Sequence, residues 1–256
     1  MPIGPPRPDP RRRPRYPPPL PQRRDAPELL DQPEHDPAEL RENLADIRRV
    51  NRYGGSQIVL EYLPDLLRRA PPERAVAILD LGTGSGDIPL AVVRRLREIG
   101  RPARVVASDV DPAILDVARE TLGHLPEVSF ARYDARAVPL PDRAFDIVLC
   151  SLTLHHFRPD DAVAVLREMR RLASTGFILN DIRRSRAGYL AARAASRVAT
   201  RNRLTRHDMP LSVQRAYTPE ELAALLERAG IAGATIGRHP LFRMATVWIA
   251  PPDGAP

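Results

Sequence analysis

Short apolar runs alternate with helical periods through most of the chain, and this alternation predicts a doubly wound α/β sheet. The runs at 76–81, 104–108, 128–131, 145–150 and 175–180 read as buried strands. Between them, Leu90, Val93 and Leu96 share one face of a helix over 89–97, and a helix over 112–120 starts with Asp111 as N-cap and Pro112 at its first position. A further helix over 160–172 turns Val165, Leu166, Met169 and Leu172 inward. Strand, helix, strand repeated in this way gives parallel pairing with helices on both faces. The last two runs, 234–238 and 242–250, are separated only by His239-Pro240-Leu241, so they must pair antiparallel.

Outside that rhythm the pattern changes three times. Ahead of the first strand, Asp36-Pro37-Ala38-Glu39 has the form of a capping box, and Leu40, Leu44 and Ile47 follow at helical spacing. That helix stops in Asn51-Arg52-Tyr53-Gly54-Gly55, and a second runs from Ser56 towards Arg69 with an interruption at Pro64. Thr218-Pro219-Glu220-Glu221 repeats the capping box for a helix ending near Gly230. Before it lies a less regular segment, 181–216, in which Tyr189, Leu190, Ala194 and Val198 form the apolar face of a helix. Residues 1–35 lack apolar periodicity and are rich in Pro and Arg, which favours an extended, disordered tail. The expected ordered domain is 36–250, with 251–256 a second tail.

Composition narrows the class. The 256 residues leave room for one α/β domain with a full core. All 39 basic residues are Arg. Residues 1–24 hold seven of them against Asp9, so nearly the whole formal charge of +7 sits in the tail and the rest of the chain is almost neutral. A second cluster, eight arginines against one acid, lies between Asp181 and Arg206. The single Cys150 excludes an internal disulfide framework and fits a reducing compartment. No stretch is long and apolar enough for a transmembrane span, and the amino terminus lacks the apolar region of a secretory leader, so a cytoplasmic protein is expected.

The candidate chemistry sits on Asp80-Leu81-Gly82-Thr83-Gly84-Ser85-Gly86-Asp87, a strand-to-helix turn where alternate glycines let a ligand approach the backbone and the helix offers free N–H groups. The second strand ends in Asp109, at the carboxyl edge where such sheets bind ligands. Asp134-Ala135 follows the third strand, and Ser151-Leu152-Thr153-Leu154-His155-His156-Phe157 follows the fourth. With 79–89, 107–119, 133–150 and 151–157 in this order, the chain resembles the class I S-adenosylmethionine (SAM)-dependent methyltransferases, in particular the small-molecule branch that includes the quinone-biosynthesis enzymes. The resemblance covers roughly residues 76 to 250 and implies a Rossmann-like class I methyltransferase sheet with SAM as cofactor.

By that resemblance Gly82, Gly84 and Gly86, with Thr83, line the amino-acid and ribose portions of SAM, and Asp80 shapes the loop. Asp109, with Val110 beside it, holds the ribose hydroxyls, Asp134 and Ala135 meet the adenine, and Ser151 and Leu152 flank the reactive methyl. Helices over 36–70, Tyr53 among them, become a lid, and 181–216 a substrate-capping segment. A base is sought among His156, His207 and His155, whose reference pKa near 6.5 suits proton removal at neutral pH. No metal is expected, because adjacent histidines diverge and no third ligand stands at a recognised spacing. The expected activity is O- or C-methylation of a small phenolic, quinone-like or polyketide-derived acceptor. The rival readings are an RNA or protein methyltransferase using the arginine clusters, and a non-catalytic SAM-binding protein. A near-neutral core with few aromatics counts against nucleic acid as a partner, while the arginine clusters leave room for peripheral contact with a membrane.

Overall fold

The computed structural model describes residues 20, 22–32, 34–52 and 54–251. Its centre is a seven-stranded sheet of order β3-β2-β1-β4-β5-β7-β6. The strands are β1 (Val76–Leu81), β2 (Ala103–Asp109), β3 (Val128–Arg132), β4 (Phe145–Ser151), β5 (Ala173–Ile182), β6 (Thr235–His239) and β7 (Arg243–Ile249). β1 to β5 run parallel, whereas β7 pairs antiparallel with both β5 and β6. The expected class I sheet, mostly parallel with its closing antiparallel hairpin, is therefore present.

The helices are α1 (Pro37–Asn51), α2 (Gly55–Leu67), α3 (Asp87–Glu98), α4 (Pro112–Leu122), α5 (Pro159–Leu172), α6 (Arg186–Val198), α7 (Arg203–Arg215) and α8 (Pro219–Arg228). The core lies on both faces of the sheet. Val59, Leu63, Val92 and Leu96 from α2 and α3 pack on Ile78, Ile147, Leu149 and Ile178; Val165, Leu166 and Met169 from α5 and Leu225 from α8 pack on Leu79, Val148 and Leu179. Among the described residues no helix is long and apolar enough to cross a membrane.

Four expectations need correction. Pro64 does not interrupt α2. The proline is exposed, so the carbonyl its missing N–H leaves free, four residues earlier, faces solvent while Val59, Leu63 and Leu66 hold the opposite face buried. Glu39 does not complete a capping box on α1: Asp36 accepts from the N–H groups of Ala38 and Glu39, and the Glu39 carboxylate is taken by Arg203 of α7. In α6 the predicted apolar face points outward, with Leu190 63% and Val198 87% exposed. The buried side of that helix carries Gly188, which lies against Phe242, and Ser196.

The fourth correction concerns the amino-terminal tail. Residues 22–32 form a strap across α7 and the turn after β4. Arg23 donates to the carbonyls of Arg215, His155 and Phe157, and Asp208 accepts from the N–H groups of Leu29 and Leu30. Glu28 is 2% exposed. The Pro and Arg content of the first 35 residues conceals this ordered stretch, because its partners lie more than a hundred residues downstream. Residues 1–19, 21, 33 and 252–256, and Tyr53, lie outside the described residues, and with them nearly all of the expected tail over 251–256.

Candidate active site

The carboxyl ends of β1, β2, β4 and β5 converge on the glycine turn. Gly82 and Gly84 have φ of 69° and 54°, a left-handed conformation that glycine adopts without penalty. A Cβ on Gly82 would strike Thr153 at 2.3 Å, whereas around Gly84 the space is open. The turn is thus closed against β4 on one side and open where a ligand would approach. Arg48 of α1 braces it from outside, reaching Ser85 and Thr121.

Three carboxylates crowd this turn. Burial pushes the Asp80 carboxyl up to about 8, with Asp87 and Asp109 adding like-charge repulsion. Burial likewise raises Asp87 and Asp109. Asp109 accepts from Gly84 N at 3.2 Å and from Asp111 N at 3.2 Å, which ties the end of β2 to the glycine turn. Among the described residues both carboxylate oxygens of Asp80, the Thr83 hydroxyl and the Ser151 hydroxyl are buried without a well-formed hydrogen bond, the nearby Thr83 hydroxyl only partly offsetting the burial of Asp80. Buried polar atoms without partners are costly, and a set of them around desolvated carboxylates suits a polar ligand bearing positive charge. SAM, whose sulfonium and ammonium are cationic, meets both conditions. Val110, beside Asp109, is 55% exposed and leaves apolar surface at this edge.

At the end of β4 the chain bends through Leu152, whose φ of 53° is unusual for a branched side chain. The bend is held by Leu152 N donating to the Asn180 carbonyl at 2.8 Å and by Thr153 Oγ1 donating to the Ser151 carbonyl at 2.9 Å. It delivers a histidine pair. His155 Nδ1 lies 2.7 Å from Asp181 Oδ1 at the end of β5, and its backbone N–H donates to the other oxygen at 3.0 Å. Burial would raise Asp181, but the His155 contacts outweigh it and hold the carboxyl low. The Nε2 of His155 lies 3.7 Å from Glu28 of the strap.

His156 lies differently. Its Nδ1 is 2.7 Å from Asp31 and its Nε2 3.9 Å from Glu28. Burial works against its charge, yet Glu28 and Asp31 overcome that and raise its pKa to about 9. Asp31, desolvated but bonded to His156, is held well below the usual carboxylate range. Arg215 joins the group, 2.6 Å from Asp31 and donating to the His156 carbonyl.

Both premises against a metal fail on this geometry. The two rings lie 4.4 Å apart rather than diverging, and Glu28 supplies a third ligand-type atom within 4.8 Å of the other two. The cluster nevertheless carries its own cations: the His156 proton and Arg215 already answer Glu28 and Asp31.

The remaining expected residues lie further out. His207, on α7, is half exposed with Nδ1 on Asp208. Asp134 is held by Arg136 through its backbone N–H and its guanidinium, which lowers its pKa, while Ala135 is buried in the core. Gly86 opens α3 with φ of 78° against Leu122. Sequence reasoning missed Glu28, Asp31, Asp181 and Arg215. Only Asp181 carried a signal, as an acid closing an apolar strand beside the histidine turn.

Comparison with known proteins follows this layout. Residues 78–176 match the family model of a methyltransferase domain. The ubiquinone/menaquinone biosynthesis C-methyltransferase of Xanthomonas oryzae is 35% identical over 102 residues, 39% of this chain and 38% of that protein. The demethylmenaquinone methyltransferase of Thermus thermophilus is 38% identical over 115 residues, 44% of this chain and 47% of its own length. The chain thus spans less than half the length of these curated relatives. Among solved structures, a SAM-dependent methyltransferase from Aquifex aeolicus superposes with a TM-score of 0.56 at 18% identity, covering 84% of this chain and 99% of that one. The CurJ carbon methyltransferase gives a TM-score of 0.63 at 14% identity, covering 85% of this chain and 61% of the other.

Proposed function

Because residues 78–176 match the family model of a methyltransferase domain and lie in a class I methyltransferase fold, we propose that the protein moves a methyl group from SAM to a small phenolic, quinone-like or polyketide-derived acceptor. The observation that carries this reading is the set of unpartnered buried polar atoms at the carboxyl edge, from Asp80, Thr83 and Ser151, beside Asp109. Three desolvated carboxylates gain from a cationic ligand, and SAM when bound supplies a methyl group already activated on positively charged sulfur. The open side of Gly84 admits the ligand, and the Leu152 bend fixes the end of β4 beside the reacting centre. Positioning of this kind can supply about 7–11 kcal/mol of a barrier.

His155 is the base in this proposal, in preference to His156 and His207. Asp181 holds its Nδ1–H, which leaves the Nε2 lone pair free to take a hydroxyl proton from the acceptor. The ring lies between Asp181 and Glu28, with Nδ1 2.7 Å from the first and Nε2 3.7 Å from the second. His156 keeps its own proton until about pH 9 and serves as a cation of the strap network. The curated relatives are named for methylation at carbon, and loss of a phenolic proton enriches the ring carbons; both support transfer to carbon.

The test uses methyl-labelled SAM, the purified protein and an extract of its host, separated into organic-soluble, RNA and protein fractions. Label in an organic-soluble product is expected; label in RNA or protein instead overturns the acceptor class. His155→Gln should lower turnover by about 10²- to 10⁴-fold while leaving SAM binding within about twofold. Full turnover in that variant would remove His155 as the base.

A further inference from the structure

On the opposite face of the sheet from Asp181, a second group of buried polar atoms stands at the carboxyl edge. Arg243 opens β7, is 2% exposed, and donates from Nη2 to Asn51 Oδ1 at 2.9 Å. Among the described residues its Nη1 has no hydrogen-bond partner. Asn180, 0% exposed at the tip of β5, has neither side-chain atom satisfied. Antiparallel register sets Ile182 opposite Arg243 and Asn180 opposite Ala245, so the Arg243 and Asn180 side chains emerge on the same face, two residues apart along the edge.

The surrounding chain is shaped to keep this group open. Asn51 ends α1, and a Cβ on Gly55 would lie 2.6 Å from Asn51 Oδ1 and 3.3 Å from Asn180 Nδ2. Glycine there lets α2 begin against the two amides without filling the space between them. Ser151, whose hydroxyl is also unpartnered, is the β4 residue in register with Asn180. The group is thus continuous with the edge on which Asp80 and Thr83 lie.

A buried guanidinium is costly to strand, since its charge has left water. Burial draws the Arg243 pKa down to about 10, with Asp181 and Asp87 opposing, so the group is charged at neutral pH. Asp181 is already committed to His155, and Asp87 holds Ser85 through one oxygen while its second oxygen is buried without a hydrogen-bond partner among the described residues. Among the described residues neither the Arg243 Nη1 nor the Asn180 amide nitrogen donates to an acceptor.

We infer that Arg243 Nη1 and Asn180 Nδ2 form a buried site for an anionic oxygen, of the carboxylate or phenolate class, brought by a ligand of the methyl-transfer reaction. The inference rests on the proposed function. Two ligands carry that chemistry: SAM through its amino-acid carboxylate, and the acceptor through its ionised hydroxyl or carboxyl group. Either would turn the cost of the buried charge into binding selectivity, because a neutral isostere would leave the guanidinium unanswered.

The test is calorimetric, on the full chain and on Arg243→Met and Asn180→Ala. The probes are S-adenosylhomocysteine, 5′-methylthioadenosine, which lacks the amino-acid end, and the pair 1-naphthoate and 1-naphthamide. If SAM supplies the anion, Arg243→Met weakens S-adenosylhomocysteine by about tenfold or more and leaves 5′-methylthioadenosine within about twofold. If the acceptor supplies it, both adenosine probes are unchanged, and the preference for naphthoate over naphthamide falls by about tenfold or more. Folded Arg243→Met with all four affinities unchanged overturns the inference. Should Arg243→Met not fold, Asn180→Ala carries the same comparison, with a smaller expected loss of about threefold to tenfold and the same overturning result. Failure of the wild-type chain to bind either adenosine probe would instead refute the proposed function, and naphthoate discrimination would still report on the anion site.

Discussion

The carboxylates at the glycine turn are the clearest case of single residues set by their surroundings. Asp80, pushed by burial to about 8, is mostly protonated at neutral pH in the free protein. A cationic ligand beside it favours the ionised form, so binding of SAM releases a proton whenever the pH lies below 8. Apparent affinity should therefore rise with pH towards 8 and flatten above it. Calorimetry at pH 7 in two buffers of different ionisation enthalpy should report this proton, and Asp80→Asn should abolish it; identical heats in both buffers for the wild type would show that Asp80 does not respond to the ligand. Asp109 is placed differently, with oxygens on the N–H groups of Gly84 and Asp111. Asp109→Ala should lower SAM affinity by about tenfold or more with the fold retained, and unchanged binding would reject the ribose assignment.

Among the elements, the opposite edge of the sheet offers a control. Asp146, 1% exposed on β4, takes a bidentate pair from Arg74 at 2.7 and 2.6 Å and the N–H of Ala77 at 2.8 Å. It fastens the start of β1 to β4, far along both strands from the glycine turn. Asp146→Ala leaves the Ala77 N–H without its acceptor, so a loss of about 2 kcal/mol and a Tm lower by several degrees are expected, with SAM affinity unchanged; equal losses in stability and binding would mean that the two edges are not independent. The strands and capped helices were legible because their signals are local: β1, Asp109 and the caps at Asp111 and Thr218 each lie within a few residues. The direction of α6 was not. Its stripe of Leu190, Ala194 and Val198 is real, but the side carrying Gly188 and Ser196 is the one buried, with Gly188 against Phe242, so packing decided which face turned inward. Arg243 and Asn180 were illegible for a related reason, since only the β5–β7 register brings them together.

At the scale of the whole molecule, the strap, the turn after β4 and the end of α7 are joined by one charge network, and this makes stability depend on pH in a defined window. His156 has its pKa raised from 6.5 to about 9 in the folded chain. Folded protein therefore binds this proton more tightly than unfolded chain does. The stabilisation is fully present below pH 6.5 and is lost as pH rises through about 9. Asp31, held below its usual range, contributes in the opposite sense, with stabilisation present above about pH 4 and lost on further acidification. The pair thus favours folding most between about pH 4 and 6.5. Two and a half pKa steps set a ceiling of about 3 kcal/mol on the histidine's share. Denaturant titrations should show stability declining between pH 6.5 and 9 in the wild type and a flatter profile in His156→Gln, the two curves converging at the alkaline end. Parallel profiles would mean that the strap is held without this proton. His155, held mainly by Asp181, should still support turnover in folded His156→Gln, so the same variant separates the charge that fastens the strap from the imidazole proposed to remove the acceptor's proton.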